Sequence, residues 1–377
     1  MARRPNIIFI TSDQQRADCY GFAGRKIRTP HLDDLAYTGT RFDACITPNL
    51  VCQPSRASIL TGKLPFTHGV CDNGIDLRLN VAEQGFAEQL NKAGYNTSFI
   101  GKAHFATSST FEPTGTPECK FSSKTFGPEW YGPYMGFNYV ELMTLGHWYN
   151  EKGPTLPPEG QHFERFVFDE AGGPEIFDIW HKPAFDGHGA AQTWHSSMPV
   201  ALHSSTWCGD RAIAFLNNQK ENIPFCSWIS FPDPHHPFDC PIPWSTMYHL
   251  DEVDLPVEGK KDLDNRPWWH RASLENEPNL ADPQLKFFRA KLSRSVDQTE
   301  VQLREMTSNY FGMISLIDHN VGRIVYELKR LGLDKNTIII YSTDHGDLLG
   351  DHGLYLKGPT AYEGLLRVGL IMNGINI

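Results

Sequence analysis

Asn6-Ile7-Ile8-Phe9-Ile10-Thr11 runs directly into Ser12-Asp13-Gln14-Gln15-Arg16. The first part is a continuous apolar run of strand length that starts just after Pro5, and the second is a polar cluster. Together they read as a buried strand whose carboxyl end carries acidic and amide groups. Similar runs recur at Thr97 to Ile100, Pro224 to Phe231 and Thr337 to Ser342, separated by stretches with helical periodicity. Strand, helix, strand in this order predicts an α/β fold around a mostly parallel central sheet.

The clearest helix places Tyr310, Ile314, Ile317, Val321, Ile324, Leu328 and Leu331 at alternating steps of four and three, and Gly332 stops it. It leads straight into the Thr337 to Ser342 run, so it packs across one sheet face. A second helix is expected from Val81 through Lys92, with Asn80 as its cap and Gly94 past its end. Residues 105 to 200 lack a sustained period and are dense in Gly, Pro and aromatics; they read as long loops over the sheet edge holding short elements of their own. Residues 250 to 295 form a second polar insertion, in which Trp268-Trp269 stay without an assigned role. No internal repeat or low-complexity tract interrupts the chain.

With 377 residues, 40% of them hydrophobic and 21% charged, the chain has the composition of a folded protein with a sizeable core. Thirty-four basic against 44 acidic residues give −10, and no Lys/Arg run tracks a phosphate backbone, so nucleic acid is not an expected partner. No apolar stretch approaches the roughly 20 residues of a membrane span, and Ile7 to Ile10 is shorter than a signal-peptide core. This predicts a cytoplasmic protein without a membrane partner. The eight Cys, at 19, 45, 52, 71, 119, 208, 226 and 240, show neither zinc spacing nor disulfide-framework density and read mostly as reduced thiols.

Two polar clusters follow two predicted strands, Asp13-Gln14 and Asp344-His345. In a parallel sheet, sites form outside the carboxyl ends of the strands, so these clusters converge in space. Either alone reads as a cap or turn. As a pair, two carboxylates, an amide oxygen and an imidazole suit one divalent ion, with calcium, or magnesium or manganese, favoured over zinc.

The densest signal is Val51-Cys52-Gln53-Pro54-Ser55-Arg56-Ala57-Ser58-Ile59-Leu60-Thr61-Gly62. Pro54 and Ser55 open a helix just behind Cys52, which lowers the thiol pKa and makes Cys52 a candidate nucleophile, with Arg56 one turn on to fork onto an oxyanion. A lone Cys would more simply be a core residue.

The string Cys52-Gln53-Pro54-Ser55-Arg56, continuing to Thr61-Gly62, resembles the signature of the type I sulfatases of the alkaline phosphatase-like superfamily. The resemblance runs through Asn6 to Gln14, Thr29-Pro30-His31-Leu32, Gly101-Lys102-Ala103-His104, Pro234-His235-His236-Pro237-Phe238, Asp344-His345-Gly346-Asp347 and Lys357 ahead of Tyr362-Glu363-Gly364. It implies an α/β/α sandwich and hydrolysis of a sulfate monoester, aryl or carbohydrate. In that family a maturation enzyme oxidises the motif Cys to formylglycine, so the resemblance implies such an enzyme as a partner and Cys52 as a precursor. It implies Asp13, Gln14, Cys52, Asp344 and His345 as metal ligands, with Gln14 standing where relatives usually carry a second Asp. Arg56, Lys102, His104, His235 and Lys357 match the basic cluster that orients the nucleophile and holds sulfate, and Asn73 matches a position touching the transferred group.

Such a set suits the chemistry, because a metal and several cations neutralise both the sulfate oxygens and the charge growing on the leaving alcohol. One hydroxyl of the aldehyde hydrate attacks sulfur while His235 or Lys357 protonates the departing oxygen. The second hydroxyl lets the covalent ester collapse, with His104 as base. His235 is preferred to His236 because the family spacing is Pro-His-x-Pro.

Two rivals share the fold. Phosphonate monoester hydrolases also open with Asp-Gln, but tend to carry hydroxyl side chains where Lys102 and His104 stand, so these two residues point to sulfate. The other is an inactive homologue: Arg367-Val368-Gly369-Leu370-Ile371-Met372 resembles a family strand that reads Arg-Val-Pro-Leu, after which relatives continue into a smaller C-terminal subdomain. The resemblance therefore implies that residues 1 to 377 are the N-terminal catalytic domain with that subdomain largely absent, an exposed apolar edge and poor solubility.

Overall fold

The computed structural model describes residues 4–108, 113–144, 160–180, 182–220, 222–257, 263–275, 296–358 and 360–377, with isolated positions at 146, 281, 283 and 286. Much of the 250 to 295 insertion, part of the 105 to 200 tract and the side chain of Trp269 lie outside the described residues.

The four apolar runs form four strands: β1 (Asn6–Ser12), then β3 (Asn96–Lys102), β5 (Phe225–Ser230) and β6 (Thr337–Thr343). Three strands join them: β2 (Thr40–Ile46), β4 (Tyr139–Met143) and β7 (Arg367–Gly374). The sheet order is β2-β7-β6-β1-β5-β3-β4. All neighbours from β6 to β4 are parallel, whereas β7 runs antiparallel to β6 and β2 antiparallel to β7. The sheet is thus mixed and mostly parallel, as expected.

Successive side chains on a strand point to opposite faces, and β1 shows the consequence. Ile8 and Ile10 face a layer made by α1 (Pro30–Thr38), α4 (Ser204–Asn217) and α5 (Glu300–Arg330), meeting Leu32, Trp207, Phe215, Ile317, Val321 and Ile324. Phe9 faces the other layer, where α2 (Cys52–Thr61) and α3 (Phe86–Lys92) bring Leu60, Ala87 and Phe86 against Phe99 and Trp228. This is an α/β/α sandwich.

α5 is longer than the apolar stripe, because Thr299 and Gln302 form a capping box at its start. The expected helix from Val81 to Lys92 is a correction: it is split into Leu79–Ala82 and α3, with Gly85 between them. A Cβ on Gly85 would sit 2.4 Å from the Leu60 carbonyl oxygen, so this close approach to α2 interrupts the helix. α2 likewise starts at Cys52 itself, behind an extended Val51, rather than at Pro54. The 105 to 200 tract does hold short elements, among them β4 and the helices His162–Arg165 and Pro174–Trp180.

Apolar surface is exposed beside the antiparallel edge, where Phe42 and Ile46 of β2 are open and a cavity of about 420 Å³ is lined by Phe9, Ile59, Phe86, Ile340 and Leu370. None of the eight cysteines forms a disulfide. Among the described residues, no helix is long and apolar enough to cross a membrane.

Candidate active site

Ser12 at the end of β1 lies opposite Thr343 at the end of β6, so parallel pairing sets Asp13-Gln14 beside Asp344-His345 at the carboxyl edge of the sheet. The chain turns sharply there, with Gln14 at φ +69. α5 holds the turn: the Tyr310 hydroxyl donates to the Gln14 carbonyl at 2.6 Å and accepts from the Arg16 N–H at 2.9 Å. Asp344 Oδ1 accepts from the backbone N–H of both Gln14 (3.0 Å) and His345 (2.9 Å), which ties the two strand ends together.

α2 delivers Cys52 to this junction. Its Sγ lies 3.5 Å from Asp13 Oδ1 and 3.1 Å from His345 Nε2. The ligand atoms of Asp13, Cys52, Asp344 and His345 all lie within 4.8 Å of one another, and all four residues are buried. His345 Nδ1 is paired with the Gly346 carbonyl at 2.9 Å, which leaves the Nε2 lone pair facing the cluster. Gln14 Nε2 donates to Asp347 Oδ2 and lies 3.2 Å from His236 Nδ1, whereas its Oε1 is buried without a partner. Two carboxylates, an imidazole and a sulfur so gathered are a donor set that fits a divalent cation, and the Gln14 amide oxygen is a further buried acceptor without a protein donor.

Around the carboxylates lies a ring of cations. Arg56 places Nε 2.8 Å from Asp344 Oδ2 and Nη2 3.2 Å from Asp13 Oδ2, and its Nη1 donates to the Lys102 carbonyl and the Ser230 hydroxyl. Fully buried, Arg56 spends its fork on the protein itself and not on an open anion position, which departs from the sequence reading. Lys102 Nζ is 2.6 Å from Asp13 Oδ2. Gly101 permits this: at φ +109, a Cβ there would fall 2.0 Å from the Ser230 carbonyl oxygen, so β3 and β5 close up just before Lys102. Lys357 Nζ contacts Cys52 Sγ at 2.8 Å, His235 Nε2 at 2.9 Å and His345 Nε2 at 3.2 Å. His104 stands at φ +52, its ring hydrogen-bonding Cys52 while its Nδ1 is buried and unpartnered. Asn73 is exposed and uses Oδ1 to accept from the Gln53 N–H at 3.0 Å.

These neighbours set the charges. Burial and the Asp13 carboxylate push the Cys52 thiol up, but Lys357 and His345 outweigh them and bring it down to about 5. Burial works against the Lys357 charge, yet Cys52, Asp13 and Asp344 hold its pKa above the ordinary lysine value. Burial also opposes ionisation of Asp13, which Lys102, His235, Arg56 and Lys357 nonetheless hold well below the usual carboxylate range. His235 is pushed well below the usual imidazole value by burial, then by Lys357, His236 and Lys102. An anionic group at position 52 is therefore met by cations on several sides.

The sulfatase family model matches residues 5–376. This chain belongs to the sulfatase family. As a sulfatase-family hydrolase it is 29% identical over 368 residues to an arylsulfatase of Clostridium perfringens, covering 97% of this chain and 67% of that protein. It is 27% identical over 378 residues to the Escherichia coli K12 protein named "Uncharacterized sulfatase YidJ", covering 98% of this chain and 63% of YidJ. The chain thus spans about two thirds of the length of these relatives. Its fold matches that of a phosphonate monoester hydrolase from Agrobacterium radiobacter with a TM-score of 0.73 at 24% identity, over 98% of this chain and 68% of that one.

Sequence reasoning brought Asp13, Gln14, Cys52, Arg56, Lys102, His104, His235, Asp344, His345 and Lys357 into consideration, and all of them meet at this edge. It left out Asp347 and His236, which hold the Gln14 amide, and Ser230 and Tyr310, which brace Arg56 and the Gln14 turn. Asp347 and His236 stood inside quoted motifs; the other two carry no local signal.

Proposed function

We propose that this sulfatase-family chain hydrolyses a sulfate monoester, aryl or carbohydrate, with Cys52 converted to formylglycine by a maturation enzyme. The observation that carries the reading is the setting of Cys52: first residue of a helix, in contact with Asp13, His345 and Lys357, and ringed by further cations. Such a position stabilises an oxyanion nucleophile and an anionic group in transfer.

Asp13, Gln14, Asp344, His345 and residue 52 would hold the cation, with calcium favoured by the oxygen-rich set and magnesium or manganese as alternatives. When bound, the cation supplies positive charge that lowers the proton affinity of the nucleophile and offsets sulfate oxygens. The remaining work belongs to side chains. A hydroxyl of the residue 52 aldehyde hydrate attacks sulfur as the ester oxygen departs, giving a sulfate ester on residue 52. His235 Nε2 lies against the Lys357 ammonium, so Lys357 is the partner with a proton to give to the leaving oxygen. Loss of the second hydroxyl proton, toward His104, expels sulfate and restores the aldehyde. Arg56 keeps the Asp13 and Asp344 carboxylates in place, and Lys102 and exposed Asn73 border the sulfate.

Phosphonate esters are the second reading, favoured by the Asp13-Gln14 opening; Lys102 and His104 favour sulfate. Rates of the matured protein on para-nitrophenyl sulfate and on a phenyl phosphonate ester separate them. Sulfate turnover as the faster of the two supports the reading, and a strong phosphonate preference overturns it.

A further inference from the structure

Past Lys102 and His104, the backbone leaves β3 and must satisfy three successive N–H groups away from the sheet. Phe105 N–H donates to both carboxylate oxygens of Glu118, at 3.2 and 3.1 Å, and Ala106 N–H donates to Glu118 Oε1 at 3.2 Å. Thr107 N–H goes to Asp76 Oδ1 at 2.8 Å. Glu118 is buried, and the Tyr134 hydroxyl donates to its Oε1 at 2.8 Å. Among the described residues no cation forms an ion pair with it. Buried carboxylates without a cation are costly, and a native chain retains one where its hydrogen bonds hold something in place.

What it holds extends to the nucleophile. Gln53, next to Cys52, donates from Nε2 to the carbonyls of Ile75 (2.8 Å) and Phe105 (3.4 Å), and its Oε1 accepts from Gly74 N–H at 2.9 Å. Leu77 N–H also donates to the Phe105 carbonyl, at 2.8 Å. The first turn of α2, the 73–77 loop and the 104–107 loop are therefore one hydrogen-bonded unit, with Glu118 beneath it.

We propose that Glu118, as a carboxylate, is a positioning residue that sets the placement of Lys102 and His104 against Cys52 by anchoring the backbone N–H groups of Phe105 and Ala106. Its catalytic consequence rests on the hydrolase reading above; the anchoring itself does not. Three donors converge on Glu118, so a protonated carboxyl brings a fourth hydrogen into a space already full of them, and only the Tyr134 hydroxyl can turn to accept it. Among the described residues, the titratable groups that act most on Glu118 are Tyr134 and, from the 73–77 loop, Asp76. Burial raises the carboxyl to about 8, with Asp76 adding to the rise and the Tyr134, Ala106 and Phe105 hydrogen bonds opposing it. The anchor tightens as pH rises through that value.

The test compares the full matured chain with Glu118→Gln and Tyr134→Phe, by hydrogen exchange of the 103–107 segment and by pH profiles of para-nitrophenyl sulfate hydrolysis. In Glu118→Gln the Phe105 and Ala106 amides exchange at least about tenfold faster while β3 is unchanged, and kcat falls about tenfold to a hundredfold with KM within about threefold. The wild-type kcat profile has an ascending limb near pH 8 that Glu118→Gln loses. Tyr134→Phe moves this limb upward, since the lost hydrogen bond favoured the ionised form. Unchanged exchange in Glu118→Gln, a retained limb there, or an unmoved limb in Tyr134→Phe overturns the proposal. If the wild-type protein hydrolyses no sulfate ester, the functional reading fails, and the exchange measurement still decides the anchor.

Discussion

Lys357 Nζ lies 2.8 Å from Cys52 Sγ across 305 residues of sequence. Each raises the stability of the other's charge: the ammonium helps bring the thiol down to about 5, and the thiolate helps keep the lysine protonated. In the matured protein the thiol is gone and Lys357 is the proposed donor to the leaving oxygen, so Lys357→Ala should lower kcat for sulfate ester hydrolysis by about a hundredfold or more, the size of a lost general acid, with a smaller change in KM. Steady-state kinetics on the matured variant, with formylglycine content measured in parallel, checks this.

Arg56 separates two buried carboxylates. Removing it leaves Asp13 and Asp344 without their shared guanidinium, so Arg56→Ala should cost about 3–5 kcal/mol in metal-free protein. Urea unfolding in the presence of a chelator reads this cost, and added calcium should recover part of it if the carboxylates hold a cation. A loss below about 1 kcal/mol would contradict the assignment of Arg56 as the brace.

Gln14 is matched to Asp347. The amide donates to Asp347 Oδ2, whose carboxyl is already raised by burial, so Gln14→Asp would set a carboxylate against a carboxylate. We expect the single variant to lose about 2 kcal/mol or more at neutral pH and Gln14→Asp with Asp347→Asn to recover most of it, a coupling that a double-mutant cycle measures.

Asp318 gives a stability dependence on pH far from the cation cluster. Its carboxylate oxygens accept from the N–H groups of His31 (3.3 Å) and Leu32 (2.7 Å) at the start of α1, and burial raises its pKa to about 7. The folded state therefore binds this proton more tightly than the unfolded chain. Its contribution is fully present below the unfolded value near 3.8 and is lost as pH rises to about 7. Asp318→Asn should remove a slope worth on the order of 4 kcal/mol over that window, measured as urea unfolding at several pH values.

How much of this could be read from the chain alone differs by element. β1, β3, β5 and β6 are covered on both faces, and each was legible from its apolar centre, a run of three or four residues in β1 and β6 and the Phe99-Ile100 and Trp228-Ile229 pairs in β3 and β5. β2 escaped because its Thr-Arg-Phe-Asp-Ala-Cys-Ile sequence lies largely exposed at the sheet edge, and β4 because it carries a buried acid, Glu141, whose charge partner Arg211 is distant in sequence, alongside a hydrogen bond from the Tyr139 hydroxyl. The site was readable where one motif carries its own chemistry, as at Cys52 to Arg56. It was not readable where a residue acts through a distant backbone, as Glu118 does on Phe105 and Tyr310 on the Gln14 turn.

Mass spectrometry of the peptide containing Cys52, from protein produced beside a formylglycine-generating enzyme and assayed on an aryl sulfate, tests the central claim most directly. Oxygen in place of sulfur, with two hydrogens lost, lowers the peptide mass by about 18 Da. The account predicts this aldehyde together with sulfate ester turnover that Cys52→Ala abolishes. An intact Cys52 thiol under competent maturation, with no hydrolysis, would contradict it.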